Sequence, residues 1–207
     1  VLDLTRVLAG PVATRFLAGY GAQVLRIDPP DWDEPSLAPE VTVGKRCARL
    51  DLRQASGRQR FEALLADADI LVHGYRADAL DKLGLGTAQR RAIQPQLIDI
   101  SLNAYGHTGP WHHRRGFDSL VQMSCGIAHA GMVANHAVHP KPLPFQALDH
   151  ATGYLMAAAA VRGLRQRMAH GGGSRARLSL ARVAAVLLDG PEGDPTAHLR
   201  ATASADF

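Results

Sequence analysis

Strand patterns and helix patterns alternate from the first residues of this chain, and that alternation most narrows the folds it can adopt. Residues 1–4 (VLDL) have a β pattern, and residues 11–20 place apolar side chains on one helical face. Gly21 ends this helix, and a second strand pattern follows at 23–27 (QVLRI). A strand, a helix and another strand in this order form the basic unit of a parallel α/β sheet.

The same alternation continues along most of the chain. Three more strand patterns follow, separated by helical segments, at 47–50, 68–72 and 97–101. The pattern also predicts one helix over 117–129, with loops at 28–41 and 131–143. A polar strand at 175–178 and a helix at 179–188 complete the patterned part. We therefore predict an α/β fold, an open Rossmann-like parallel sheet with helices on both faces. Residues 189–207 have no period and are expected to form an irregular tail.

Composition limits the functions that need to be considered. The chain has 46% hydrophobic and 20% charged residues, which is typical of a globular protein. No uncharged apolar run of about 18 residues occurs, so we expect no membrane span. The net charge of +4 is compatible with a small anionic ligand and too diffuse to predict nucleic-acid binding.

Two cysteines, Cys47 and Cys125, lie far apart in sequence, each in an apolar setting. This pattern favours reduced, buried thiols over a disulfide framework. Reduced thiols of this kind suit a cytoplasmic protein, which is the location we expect. No signal peptide is visible in the sequence.

Several common site motifs are missing from the sequence. The ten histidines lack H-E-x-x-H or Cys/His spacing, so no metal site is predicted. There is no G-x-S-x-G sequence and no Walker A sequence, which disfavours a serine hydrolase and an NTPase. The loop after the first strand lacks G-x-G-x-x-G, which disfavours NAD binding.

Asp149 is the only charged side chain between Leu143 and Ala160, at the start of an Ala-rich apolar helix. Such a carboxylate must be solvated, paired or used. It can be a helix N-cap, since its oxygens accept free backbone N–H groups, or it can be a reactive acid. The residues around it leave both interpretations open.

Two further positions are compatible with an anionic ligand. The loop at residues 5–11 follows the first strand, and parallel sheets bind ligands at the carboxyl ends of their strands. Lys45 and Arg46 follow Gly44, and adjacent cations beside a flexible residue suit phosphate contact. Solvated surface charge explains the same pair equally simply.

Seven blocks follow one another in a single order, and together they carry a resemblance. They are VLDLTRVLAGPVATRFLAGYGAQVLRID, GKRCARLDL, ADILVHGYRADALDKLGLG, QPQLIDISLNAYGHTGPW, RRGFDSLVQMSCGIAHAG, ALDHATGYLMAAAAVRGL and GGGSRARLSL. This string resembles the family III CoA-transferases, the CaiB/BaiF group, over residues 1–188. The resemblance implies that this segment is the Rossmann-like large domain, and that the family's smaller domain is absent from the sequence.

The resemblance also implies a substrate and a mechanism. The substrates would be an acyl-CoA and a small carboxylic acid, with no tightly bound cofactor. In the family, a carboxylate in a D-x-x-x-G block attacks the thioester and passes through a mixed anhydride and an aspartyl-CoA thioester. Here the block runs from Asp149 to Gly153, so Asp149 is the expected nucleophile. Asp118 matches a second acid near the family's site.

Coenzyme A contacts carry over in the same way. Leu50 would lie by the adenine, and Lys45 and Arg46 near the phosphates. The thioester end would be lined by Val7, Leu8 and Ala9.

The remaining contacts come from later blocks. Gly74 and Tyr75 match the family's Asn/aromatic pair, and Lys82 and Leu83 match its Arg/Met pair. Arg115 stands where the family often has a cation. Because Gly74 replaces the usual Asn, one expected hydrogen bond to coenzyme A is missing.

Partners and alternative functions follow from the same resemblance. It implies an interlaced homodimer, or a partner chain that supplies the missing domain. One alternative is a 2-methylacyl-CoA racemase, but such racemases have a His before the second acid, where this chain has Phe117. The other alternative is a non-catalytic domain that binds coenzyme A or assembles with another subunit.

Overall fold

Six parallel strands form the sheet in the computed structural model, which describes residues 1–76 and 78–190. Their order is β3-β2-β1-β4-β5-β6, so the predicted parallel sheet is confirmed. The order reverses between β1 and β4, and ligands of open α/β sheets bind at such a point. The strands are β1 (Leu2–Leu4), β2 (Val24–Asp28), β3 (Lys45–Arg49), β4 (Ile70–His73), β5 (Ile98–Asn103) and β6 (Ser174–Ser179).

Helices connect the strands and cover both faces of the sheet. In the described part they are α1 (Ala9–Gly19), α2 (Ala38–Val41), α3 (Ala55–Ala66), α4 (Ala79–Lys82), α5 (Thr87–Ile93), α6 (Asp118–Ser124), α7 (Ile127–Ala134), α8 (Ala147–His170) and α9 (Leu180–Leu188).

Burial of the strands follows their place in the sheet. The central strands β1 and β4 are buried along their whole length, as expected of apolar runs covered on both faces. The edge strands β3 and β6 are rich in Arg and alternate between partly buried and exposed residues over most of their length. Charged side chains on an edge strand oppose pairing with another chain.

Two apolar layers hold the sheet between the helices. On one face Phe61 and Leu65 of α3 pack with Leu71 and other strand residues. On the other face Ala13 of α1 and Met156 of α8 pack with further side chains of β4 and β5. Burial of these apolar surfaces provides the main driving force for folding, at about 25 cal/mol per Å².

Helices α1 and α8 approach each other closely at Gly153. A Cβ atom at this glycine would lie 2.6 Å from the carbonyl oxygen of Ala9 and 2.7 Å from a methyl carbon of Val12. Only glycine fits this contact, which explains the glycine that ends the D-x-x-x-G block. Because Asp149 lies about one turn before Gly153, the contact holds Asp149 beside the start of α1.

Three details differ from the predictions made from sequence. The single helix predicted over 117–129 is two helices, because Gly126 adopts a left-handed conformation with φ of +90°. The second of them, α7, runs to Ala134, inside a segment predicted to be a loop. Cys47 is exposed rather than buried, since it lies on the edge strand β3, whereas Cys125 is half-buried.

The predicted tail at 189–207 lies outside the described residues, except for its first two positions. Among the described helices, none combines the length and the apolar character needed to cross a bilayer.

Candidate active site

Asp149 lies in the first turn of α8, at the carboxyl edge of the sheet. The residue is only 7% exposed, and its side chain forms no hydrogen bond or ion pair with any described residue. The N-cap residue of α8 is Gln146, three residues before Asp149, so Asp149 does not cap its own helix. The capping interpretation is therefore wrong, and the buried carboxylate is left without a structural partner in the described part.

Asp118 performs the capping role from another helix. It lies at the start of α6, is 1% exposed, and its Oδ2 accepts a hydrogen bond from the backbone N–H of Asp149 at 2.9 Å. The Gln122 side chain donates to its other oxygen. Gln122 also donates to the carbonyl of Phe145 at 3.2 Å and accepts from the N–H of Leu143 at 2.8 Å. Asp118 and Gln122 therefore hold the segment that leads into α8.

The environment of Asp149 changes its acidity. Burial, together with repulsion from the Asp118 carboxylate, raises the pKa of Asp149 to about 7. Such shifts are typical of groups that take part in catalysis, because functional sites combine burial with charged neighbours. Asp149 therefore titrates close to neutral pH.

The loop between β1 and α1 lies opposite Asp149. Helix α1 begins at Ala9, and Leu8, its N-cap residue, provides no side-chain cap. The backbone N–H groups of Leu8, Ala9 and Gly10 have no hydrogen-bond partner among residues 1–76 and 78–190. Unpaired N–H groups at a helix start attract negative charge.

These groups share one cavity of about 400 Å³. Its wall includes Asp149, the 7–10 loop, and residues at the ends of β4 and β5 such as Gly74 and Asn103. It also includes four arginines, and none of them forms an ion pair with a described residue: Arg6, Arg76, Arg114 and Arg115. The cavity therefore combines one unpaired buried acid with an excess of positive charge.

A second, larger cavity of about 680 Å³ adjoins the first. Leu50, Lys82, Leu83 and Arg53 line it together with three acidic residues, Asp31, Asp51 and Asp78. Arg53 forms exposed ion pairs with Asp51 and Asp31. The two cavities share Arg6, Trp32, Tyr75 and Arg76.

Arg6 contacts two aromatic rings where the two cavities meet. Its guanidinium lies 4.7 Å from the ring centre of Trp32 and 5.5 Å from that of Tyr75, and it donates to the Tyr75 hydroxyl at 3.2 Å. The two cavities therefore share one wall, which contains a fixed cation, and we refer to the two together as the trough.

Most of the predicted coenzyme A contacts lie along this trough. The smaller cavity contains Val7, Leu8, Ala9, Gly74, Tyr75 and Arg115. The larger cavity contains Leu50, Tyr75, Lys82 and Leu83. Lys82 forms an exposed ion pair with Asp78 at 2.6 Å, which leaves it within reach of solvent.

Lys45 and Arg46 lie away from both cavities. The Lys45 side chain is fully buried, and its ammonium contacts Asp3 Oδ2 at 3.0 Å, the Pro11 carbonyl at 3.0 Å and the Thr14 hydroxyl at 2.6 Å. Burial lowers the pKa of Lys45, although Asp3 opposes the shift. Lys45 therefore fastens α1 to the sheet instead of reaching a phosphate. Arg46 is exposed on β3 and lines neither cavity.

Sequence reasoning missed two residues that shape the site, Trp32 and Glu34. Both lie in the segment after β2, which has no clean period and was predicted only as a loop. Trp32 lines both cavities, and Glu34 accepts a hydrogen bond from the N–H of Val7 at 2.7 Å. A lone Trp in a polar, Pro-rich loop was the one available signal.

Comparison with known proteins decides the family. The family model described as CoA-transferase family III matches residues 1–200. The chain belongs to CoA-transferase family III. A succinyl-CoA:glutarate CoA-transferase of Mus musculus is 33% identical over 187 residues, which is 84% of this family III chain and 42% of the mouse protein.

Solved structures agree with this membership. A crystal structure of a hypothetical protein from Mycobacterium tuberculosis superposes with a TM-score of 0.84 at 31% identity, covering 91% of this chain and 56% of that one. A CAIB/BAIF family protein from Brucella suis gives a TM-score of 0.79 at 28% identity, covering 90% and 53%. This family III chain therefore spans about half the length of these relatives.

The comparisons do not favour the racemase alternative. Curated relatives are named as CoA-transferases, and the residue before Asp118 in this chain is Phe117, which has no acid–base chemistry.

Proposed function

We propose that this family III chain moves coenzyme A between an acyl-CoA and a carboxylic acid, with Asp149 as the nucleophile. One observation carries the proposal: Asp149 is a buried carboxylate without a side-chain partner in the described part, at the wall of a cavity beside unpaired backbone N–H groups. Keeping a carboxylate buried and unpaired lowers stability, and chemistry is the usual reason for such a cost.

The proposed reaction needs no redox partner and no net proton transfer. An Asp149 oxygen attacks the thioester carbon and the C–S bond breaks. Coenzyme A leaves as the thiolate, and a mixed anhydride between Asp149 and the acyl group remains. The thiolate then attacks the aspartyl carbonyl, the donor acid leaves, and an aspartyl-CoA thioester remains. The acceptor carboxylate attacks this thioester, and the same two steps run in reverse.

The raised pKa of Asp149 suits the first step. A tetrahedral intermediate between a carboxylate and a thioester expels the better leaving group, and an ordinary Asp, with a pKa of about 3.9, leaves far more readily than a thiol of about 8.5. A pKa of about 7 narrows that difference, so a larger fraction of attacks proceeds to the anhydride. The same shift makes the carboxylate more basic and hence more nucleophilic.

Negative charge develops on the carbonyl oxygen during each attack. Leu8, Ala9 and Gly10 line the same cavity, and their N–H groups have no described partner, so these N–H groups are the proposed donors to this oxygen. Asp118 does not line the cavity. We therefore assign it a positioning role, holding the start of α8 and raising the pKa of Asp149.

The nucleotide end of coenzyme A is proposed to occupy the larger cavity. Leu50 and Leu83 offer apolar surface to the adenine, and Arg53 and Lys82 offer charge to the phosphates. The pantetheine arm would then pass Arg6 at the junction and reach Asp149. This path keeps the thioester beside the start of α1.

We also propose that a second copy of the chain, or a partner chain, covers part of the helical surface. Tyr20 is 81% exposed and Tyr154 is 54% exposed, and both rings pack against Phe16 to form one apolar patch. Sedimentation at micromolar concentration is expected to give a dimer for the chain alone. A monomer that assembles only with another polypeptide would refute the homodimer.

Trapping of the acyl-enzyme tests the proposed chemistry. The chain is incubated with an acyl-CoA and treated with hydroxylamine, and the peptide that contains Asp149 is expected to carry a hydroxamate by mass spectrometry. Asp149→Asn removes the nucleophile and should give no adduct. Asp67→Asn changes an exposed acid at the end of α3 and should label like the wild type. Retained coenzyme A binding without any adduct would support a non-catalytic domain instead.

A further inference from the structure

The conformation of Val7 is unusual for its residue type. Val7 has a φ of +66°, in the left-handed region that a β-branched residue rarely adopts. It lies in the loop between β1 and α1, directly before the Leu8, Ala9 and Gly10 amides. Strained backbone of this kind persists only where surrounding contacts hold it, and it is concentrated at active sites.

A buried carboxylate holds this conformation. Glu34 Oε1 accepts the hydrogen bond from the Val7 N–H at 2.7 Å, and Glu34 Oε2 accepts one from Arg26 Nη2 at 2.6 Å. The side chains of Glu34 and Arg26 are 7% and 3% exposed. Arg26 is fixed in turn by Asp28, whose Oδ2 lies 2.7 Å from its Nε.

The chain of contacts therefore runs from the sheet to one amide of the loop. Arg26 and Asp28 are both on β2, and Glu34 bridges from them to Val7. The Val7 N–H is directed at Glu34, while the next three N–H groups stay unpaired among the described residues. Their residues, Leu8, Ala9 and Gly10, line the cavity that contains Asp149. A charge-assisted hydrogen bond of this kind is stronger than a neutral one, which suits it to holding a strained residue.

We propose that Glu34 is a positioning residue for the reaction at Asp149, acting through the Val7 amide on the oxyanion donors at Leu8, Ala9 and Gly10. The proposal rests on the proposed function, since it assigns those amides to the oxyanion. A purely structural role would give a different result. If the buried ion pairs with Arg26 only stabilised the fold, loss of Glu34 and loss of Asp28 would have similar effects.

Glu34 and Asp28 give a matched pair of variants. Glu34→Ala frees the Val7 amide and removes one carboxylate from Arg26, whereas Asp28→Asn removes the other carboxylate and leaves the Val7 contact intact. Loss of one oxyanion donor typically costs about 10² to 10³ in rate. We expect Glu34→Ala to slow acyl-enzyme formation by about 10²-fold or more, with the dissociation constant for coenzyme A changed by less than about threefold.

Asp28→Asn should leave the rate within about threefold of wild type. Glu34→Gln keeps an oxygen that can accept from Val7, so it should recover most of the rate. A Glu34→Ala rate equal to wild type, or an equal loss in Asp28→Asn, would overturn the proposal.

Amide hydrogen exchange provides a readout that does not depend on activity. Exchange of the Val7 N–H should accelerate in Glu34→Ala and stay at the wild-type rate in Asp28→Asn. Unchanged exchange in Glu34→Ala would overturn the positioning role even if the rate falls. If the wild type forms no acyl-enzyme while exchange responds as expected, the proposed function fails and Glu34 retains its structural hold on the loop.

Discussion

Replacing Asp149 with Asn should stabilise the protein while it removes the proposed nucleophile. Burial and the Asp118 carboxylate raise the pKa of Asp149 from 3.8 to about 7. At about 1.36 kcal/mol per pH unit, a shift of roughly 3 units means that ionised Asp149 costs the folded state about 4 kcal/mol. The residue is 7% exposed, so solvent relieves little of this cost.

The pH dependence gives the clearest signature of this cost. Between about pH 4 and pH 7 the folded chain keeps the Asp149 proton and the unfolded chain has lost it, so wild-type stability falls as the pH rises. The stabilising effect of protonated Asp149 is complete below the unfolded pKa and lost above about pH 7. The Asn side chain does not titrate, so the free energy of unfolding of the variant minus that of the wild type should increase by about 2.5 kcal/mol from about pH 5 to pH 8.

Urea unfolding of the two proteins across this range measures the difference. Asp67→Asn, which removes an exposed carboxylate, is the matched control. A difference between wild type and Asp149→Asn that stays flat, or that shrinks as the pH rises, would refute an ionisable Asp149 with a raised pKa.

Three further changes test other parts of the site. The rate of acyl-enzyme formation should rise with pH and level off above a midpoint near 7, because the proposed nucleophile is ionised Asp149, and a midpoint near 4 would contradict the shift. Gly153→Ala should destabilise the fold by about 1–3 kcal/mol in urea unfolding, since its Cβ would meet the Ala9 carbonyl, whereas Gly19→Ala in open space should not. Lys45→Met should cost about 3–5 kcal/mol, because it leaves the buried Asp3 carboxylate without a counter-charge, while Arg46→Met should change stability by less than about 0.5 kcal/mol.

Local patterns in the sequence were sufficient for the sheet and for the position of Asp149. The apolar runs in the sequence coincide with strands such as Val24–Asp28 and Ile70–His73. A single acid at the start of an apolar helix is easily recognised in the sequence. The order of the blocks then indicated the family, and the family resemblance predicted that Val7 and Tyr75 belong to the same site as Asp149. The three residues line one cavity. These features depend on neighbours in sequence or on a known arrangement of segments.

Contacts between distant segments were not readable from the sequence. Lys45 has the pattern of a phosphate ligand, and only the pairing of β3 beside β2 shows that its ammonium reaches Asp3. The hold of Glu34 on Val7 crosses from an aperiodic loop to another loop 27 residues away. The break at Gly126 was missed because the apolar pattern continues across it, although the backbone there is left-handed.

Transfer of labelled oxygen tests the central claim most directly. In the proposed reaction an oxygen of the acceptor carboxylate becomes the bridging atom of the anhydride and stays on Asp149 when coenzyme A leaves with the acyl group. We therefore predict that turnover with an ¹⁸O-carboxylate acceptor adds about 2 Da to the peptide that contains Asp149, by the stepwise chemistry of covalent catalysis. Acyl-CoA product formed without label in that peptide would contradict Asp149 as the nucleophile.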